Sequence, residues 1–217
     1  MLQVKQLSLC YPNAEPLWQD ISFHLKQGDA LWLKGANGSG KTSLLYTLAN
    51  VIPQTIEATR QGEIYLQGSL SNDIPLNCLS PQVSLSLSNP KWEMFFTTLE
   101  EELCFALENI GLTPVEIETR LQAALTRFHL IDWLECPVHK LSPGWQKMVS
   151  LAAQAALKPG VLLLDEPLAG LSETNAQLVI DWMQDYLKEG GVIVAAEHSH
   201  LINEMHPQIL VLAGNKQ

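Results

Sequence analysis

The sequence predicts an α/β domain in which a mostly parallel sheet is wrapped by helices. Three observations carry that prediction. An apolar run, Ala30 to Leu33, passes through a glycine-rich turn into a helical stretch. A second run, Val161 to Leu164, ends in Asp165-Glu166-Pro167. Strand, helix and strand then alternate as far as Ala196, as they do when crossover helices join parallel strands.

From the N-terminus, residues 2 to 11 and 21 to 25 alternate enough for strands, with Pro12-Asn13 and Gln27-Gly28-Asp29 as turns. Taken alone, Tyr11 reads as a strand-end aromatic. The buried strand at Ala30 to Leu33 runs into Gly35-x-x-x-x-Gly40-Lys41-Thr42, a full match to the phosphate-loop pattern. Ala36, Asn37, Gly38 and Ser39 fill its variable positions, and Ser43 follows. Glycines let successive amides face phosphate oxygens, and the helix N-terminus behind them adds its positive end. Lys41 supplies a mobile charge for β- and γ-phosphates, and the Thr42 hydroxyl is the expected Mg²⁺ ligand. The helix from Ser43 is expected to stop at Pro53.

Glu63 to Gln67 reads as a strand closed by Gly68, and Val83 to Leu87 as a period-two strand ended by Asn89-Pro90. Residues 98 to 130 read as helical, with capping-box starts at Thr98/Glu101 and Thr113/Glu116. Leu121, Leu125 and Phe128 recur at helical spacing, as core residues do. Ser142 caps another helix, with Pro143 as its first residue and an end near Lys158-Pro159-Gly160. The strand from Val161 delivers Asp165 and Glu166 to its C-terminal edge, where open α/β sheets bind ligands. Ser172 caps a helix to about Lys188, Gly190-Gly191 break it, and Val192 to Ala196 form a last buried strand ending in Glu197-His198.

The chain has 217 residues, 47% of them hydrophobic, enough for one sizeable domain. Its 13 basic and 23 acidic residues give a net charge of −10, which opposes nucleic acid as the main partner and adsorption to lipid through a basic face. No apolar stretch has the length of a membrane span, and the first residues do not pattern as a signal peptide. Cys10, Cys78, Cys104 and Cys136 are widely spaced and read as reduced cytosolic thiols. His198 and His200 have no neighbouring Cys or third His to complete a zinc set.

Phosphate loop, Leu141-Ser142-x-Gly144, apolar-Asp165-Glu166-Pro167 and a strand ending at His198 stand in one order. The chain thereby resembles the nucleotide-binding subunits of ABC transporters over nearly its whole length. Ser88-Asn-Pro, Thr98-Leu-Glu-Glu-Glu-Leu, Leu107-Glu-Asn-Ile-Gly-Leu and Ala196-Glu197-His198 make it most similar to the ATPase subunits of energy-coupling factor importers. The resemblance implies a P-loop NTPase fold of ABC type: a mostly parallel central sheet, an antiparallel β region near the N-terminus and a helical sub-domain. It implies a single domain over 1–217, with the sub-domain at about 90–157 inserted in the ATP-binding core.

The resemblance also implies roles. Tyr11 matches the aromatic that stacks on adenine. Asp165 is similar to the acid that holds Mg²⁺, Glu166 to the general base, and His198 to the switch residue that senses the γ-phosphate. Ser142 and Gly144 match the signature loop that closes over ATP held by a second ABC ATPase subunit. The implied protein is an ATPase working with integral membrane subunits at the cytoplasmic face of the cell membrane, with ATP and Mg²⁺ as ligands and micronutrient uptake as its task. Four positions, Ser88, Pro143, Trp145 and Ser172, depart from the pattern. The sensor glutamine aligns with Ser88, the signature reads Ser-Pro-Gly-Trp, and the aspartate expected after Glu166 is Ser172. Either a working ATPase has drifted, or the chain pairs with a different ABC subunit.

Two other classes compete: a soluble ABC protein acting on nucleic acid or ribosomes, and a P-loop kinase. The acidic balance opposes the first, and Leu-Ser-x-Gly with the terminal His opposes the second. The segment from Ser88 to Phe96 is expected to dock the membrane partner, with Trp92 and Met94 as anchors and Phe95 in the helical core.

Overall fold

The computed structural model describes residues 2–72, 74–79 and 81–213. In chain order its strands are β1 (Leu2–Cys10), β2 (Trp18–Leu25), β3 (Ala30–Lys34), β4 (Thr59–Leu66), β5 (Ser69–Leu70), β6 (Val83–Ser86), β7 (Val161–Asp165), β8 (Val192–Ala196) and β9 (Gln208–Val211). Its helices are α1 (Lys41–Leu48), the one-turn α2 (Val51–Gln54) and α3 (Leu76–Leu79), α4 (Leu99–Asn109), α5 (Pro114–Arg127), α6 (Pro143–Leu157) and α7 (Glu173–Lys188).

Continuous apolar strands are stable only where both faces are covered. β7 and β8 are buried at every position, and both sit inside a parallel sheet of order β6-β7-β8-β3-β9. Their register sets the site. Asp165 on β7 pairs with Ala196 on β8, and Leu33 on β3 pairs with the same Ala196. The exits of β3, β7 and β8 therefore lie side by side at one sheet edge.

Alternation along these strands divides the core into two. Trp32, Leu162, Leu164, Ile193 and Ala195 face α4 to α7, in one cluster with Leu103, Leu125, Phe128, Met148 and Val179. Leu31, Leu33, Leu163, Val194 and Ala196 face α1 and a second, antiparallel sheet of order β2-β1-β4-β5. That sheet is the antiparallel region expected near the N-terminus. Both predicted capping boxes form: Thr98 Oγ1 accepts from Glu101 N, Thr113 Oγ1 from Glu116 N, and each glutamate reaches back to its cap residue.

Several boundaries differ from expectation: β2 begins at Trp18 and β4 at Thr59, both earlier than expected, and the first helix stops sooner. The helix after the phosphate loop ends at Leu48, and Pro53 lies inside the separate turn α2. Asn50 ends it by turning left-handed (φ 58) and burying its amide, which donates to the Ser71 carbonyl and accepts from Arg60 Nη1 at 2.7 Å. Those distant partners outweigh the local helical pattern, and no proline is needed.

Candidate functional site

β3 delivers the chain into the phosphate loop, where Gly35 and Gly40 are required by space. At Gly40 (φ +90) a Cβ would meet Leu17 Cδ2 at 2.7 Å and Trp18 Nε1 at 2.8 Å. At Gly35 it would collide with Ser39 Oγ and the Leu212 carbonyl. Lys41 is buried and folds its ammonium over the loop, donating to the carbonyls of Gly35 (2.8 Å) and Ala36 (3.1 Å). Ser39 Oγ is buried in the loop without a hydrogen-bond partner. No acidic side chain occupies the first turn of α1, so its positive end is uncompensated from within the helix.

A cavity of about 460 Å³ opens in front of the loop. Tyr11 and Leu17 form one wall, Asn37, Gly38 and Gly40 to Ser43 the floor, and Asp165 and Glu166 the far side. The Tyr11 hydroxyl lies 3.0 Å from Ser43 Oγ, which fixes the ring beside the loop. Tyr11 is thus a wall of the cavity, beyond its strand-end position.

The carboxylate edge meets the loop directly. Thr42 Oγ1 donates to Asp165 Oδ2 at 2.8 Å across 123 positions of sequence. Burial holds the Asp165 carboxyl above the usual carboxylate range; the Glu166 charge adds to this, while the Thr42 hydrogen bond, Lys147 and Lys41 oppose it. Glu166 sits in the left-handed region (φ 50), a strained conformation for a non-glycine residue, with its amide donating to the Ala196 carbonyl at 2.7 Å. Its Oε1 is 3.8 Å from His198 Nε2. A hydroxyl, two carboxylates and a lysine therefore converge at the phosphate loop, while the His198 imidazole lies outside the cavity lining and approaches it through Glu166. This set can neutralise phosphate charge and orient a water molecule.

Ser88, Ser142 and Gly144 lie outside this cavity. Ser88 is exposed just past the end of β6. Ser142 caps α6, its Oγ accepting from Trp145 N at 3.4 Å. Gly144 abuts the loop after Glu166, where an added Cβ would stand 3.0 Å from the Gly170 carbonyl. Trp145 stacks on Trp133 with centroids 5.4 Å apart.

The residues from Ser88 to Phe96 correct one expectation. Phe95 is 77% exposed, and Met94 instead packs against the helical core. The backbone amides of Phe95 and Phe96 both donate to Glu102 Oε2, which turns the Phe95 ring outward. Trp92 is 67% exposed, and Phe96 packs on Phe105 at 4.8 Å.

Three ionisable side chains behind the site were given no role by sequence, Glu197 being named there only within the Ala196-Glu197-His198 match. Lys147 is 2% exposed and donates to the Leu87 carbonyl at 2.7 Å. Glu93 accepts from the Leu87 amide and from Ser150 Oγ. Burial pushes the Glu93 carboxyl up and the Lys147 ammonium down. Glu197 is buried and accepts three backbone amides. The only sequence signal was a charge set inside an apolar run, such as Lys147 before Met148-Val149.

Comparisons agree with this geometry. The family model described as ABC transporter matches residues 18–169. The chain is 31% identical over 200 residues to the energy-coupling factor transporter ATP-binding protein EcfA of Methanosphaera stadtmanae, covering 91% of this chain and 70% of that one. It is 30% identical to EcfA of Methanocaldococcus jannaschii with the same coverage. A solved structure described as the ATP binding subunit of an ABC transporter superposes with a TM-score of 0.85 at 26% identity, over 98% of this chain and 85% of that one. The chain belongs to the ABC transporter family, as an ATP-binding subunit with that family's ATPase fold.

Proposed function

We propose that this subunit hydrolyses ATP to power an energy-coupling-factor-type importer, moving a micronutrient (a vitamin or a transition-metal ion) through separate membrane subunits. The observation that carries the chemistry is the convergence of Thr42, Asp165 and Glu166 on the phosphate loop, with His198 3.8 Å from Glu166. The likeness to two EcfA proteins supports the importer class. Tyr11 stacks on the adenine, and the loop amides from Gly35 to Ser43 with the Lys41 ammonium hold the phosphates. Glu166 orients and deprotonates the attacking water, and His198 contacts the γ-phosphate oxygens as charge develops on them. The paired hard oxygens of Thr42 and Asp165 fit Mg²⁺; they would hold it, and it would supply charge neutralisation beside the phosphates.

Ser142 and Gly144, lying outside the chain's own cavity, act on ATP held by a second ABC ATPase subunit, and residues 90–157 form the helical sub-domain that presents them. No helix among the described residues is long and apolar enough to cross a membrane. We place the chain peripherally, on the cytoplasmic face, against integral membrane subunits and without nucleic acid. One observation favours a non-identical ATPase partner. Pro143 has no amide, the Trp145 amide is directed to Ser142, and the Trp145 ring is held by Trp133, so this signature loop offers few donors.

Glu166→Gln tests the assignment. The variant should retain ATP binding, accumulate an ATP-bound dimer and lose steady-state phosphate release. Undiminished release would refute the role of Glu166.

A further inference from the structure

We infer that Glu197 is a positioning residue that holds His198 in register with Glu166 by clipping the loops that carry them. Glu197 ends the apolar run of β8 and is 6% exposed. Its Oε1 accepts from the amides of His198 (2.6 Å) and Ser199 (2.9 Å), and its Oε2 accepts from the amide of Leu168 (2.9 Å). Leu168 lies two residues after Glu166, and His198 directly follows Glu197. One carboxylate therefore joins the exit of β7 to the exit of β8, across 29 positions of sequence. A third strand is tied in through the backbone. The Trp32 indole on β3 donates to the Glu197 carbonyl at 2.6 Å.

A buried carboxylate suits this task because it is acceptor-only, with room for several N–H donors, and charge-assisted hydrogen bonds are roughly twice as strong as neutral ones. A glutamine of the same shape offers one acceptor oxygen and two donors. Wherever its amide group points, an N–H confronts a backbone N–H, and one loop is released. The pair set by the clip is separated by 3.8 Å, and a displacement of about 1 Å in such a pair can cost roughly a hundredfold in rate.

The inference rests on the proposed roles of Glu166 and His198, and the test separates the two. In the full chain, Glu197→Gln should lower kcat for ATP hydrolysis by about tenfold or more while changing the KM for ATP by less than about threefold. In a His198→Ala background the same substitution should cost less than about threefold, because there is no imidazole left to position. Amide exchange should accelerate in Glu197→Gln either at Leu168 or at His198 and Ser199, a readout that does not depend on turnover. Unchanged kcat, an equal cost in both backgrounds, or unaltered exchange at all three of Leu168, His198 and Ser199 would each overturn the clip alone. If His198→Ala by itself leaves kcat unchanged, the role of His198 fails and the clip falls with it.

Discussion

Lys147→Met probes the charge pair behind the site. The lysine is buried on α6 and its Nζ donates to the Leu87 carbonyl at 2.7 Å, while the amide of the same residue donates to Glu93. Methionine nearly matches the stem in volume and adaptability, so little cavity forms. Its thioether cannot replace the ammonium donor, and an unpaired carbonyl in such a place costs about 1–3 kcal/mol. Glu93 also loses the neighbouring cation that partly offsets its burial, while Glu102 still repels it. Taking about 2 kcal/mol, and about 2–4 °C per kcal/mol for a chain of this size, the melting temperature should fall by roughly 4–8 °C.

The sign of the pH dependence follows from Glu93. Its folded carboxyl already titrates above the ordinary range, so the folded chain binds that proton more tightly than the unfolded chain. Stability is greatest with Glu93 protonated and is lost as pH rises from the ordinary glutamate range through the folded value. Removing Lys147 raises the folded value further, so the deficit of Lys147→Met should consist of the carbonyl cost alone near pH ~4.5 and grow beyond it toward pH ~8. Adding Glu93→Gln should recover much of the loss at the higher pH. Thermal melts of the single and double variants at both pH values provide the measurement. An equal deficit at both pH values, or no recovery in the double variant, would refute the reasoning.

Two further outcomes are expected. Lys41→Ala should abolish the rise in melting temperature that ATP confers, because in the proposed function the ammonium over the loop supplies the charge for the phosphates; equal ATP stabilisation of parent and variant would sink that assignment. Trp92→Ala with Phe95→Ala should leave ATP binding by the free subunit intact and release it from its membrane complex. Both rings are exposed, and anchors of this kind commonly contribute 2 kcal/mol or more, roughly thirtyfold in affinity. Co-purification of the double variant at parental yield would place the docking surface elsewhere.

Local chemistry wrote most of the architecture into the sequence. The phosphate loop is legible because steric demand at Gly35 and Gly40 and the Lys41-Thr42 pair are contiguous. Both capping boxes and the Ser142 and Ser172 caps formed where expected, since a cap depends on residues three apart. Buried runs such as Val161 to Leu164 marked the central strands, because only a doubly covered strand is apolar throughout.

Tertiary structure decided what depends on partners far along the chain. Asn50 ends α1 early because Ser71 and Arg60 satisfy its amide. Met94 and Phe95 exchange their expected places because Glu102 captures the backbone between them and α4. The Thr42–Asp165 contact, the Glu197 clip and the Lys147–Leu87–Glu93 arrangement join residues 123, 29 and 60 positions apart at their widest. No local pattern encodes such pairs. The first two exist because parallel register brings the exits of β3, β7 and β8 together, and the third because α6 lies beside the segment that leaves β6; a buried polar group in such places must find its partner across elements.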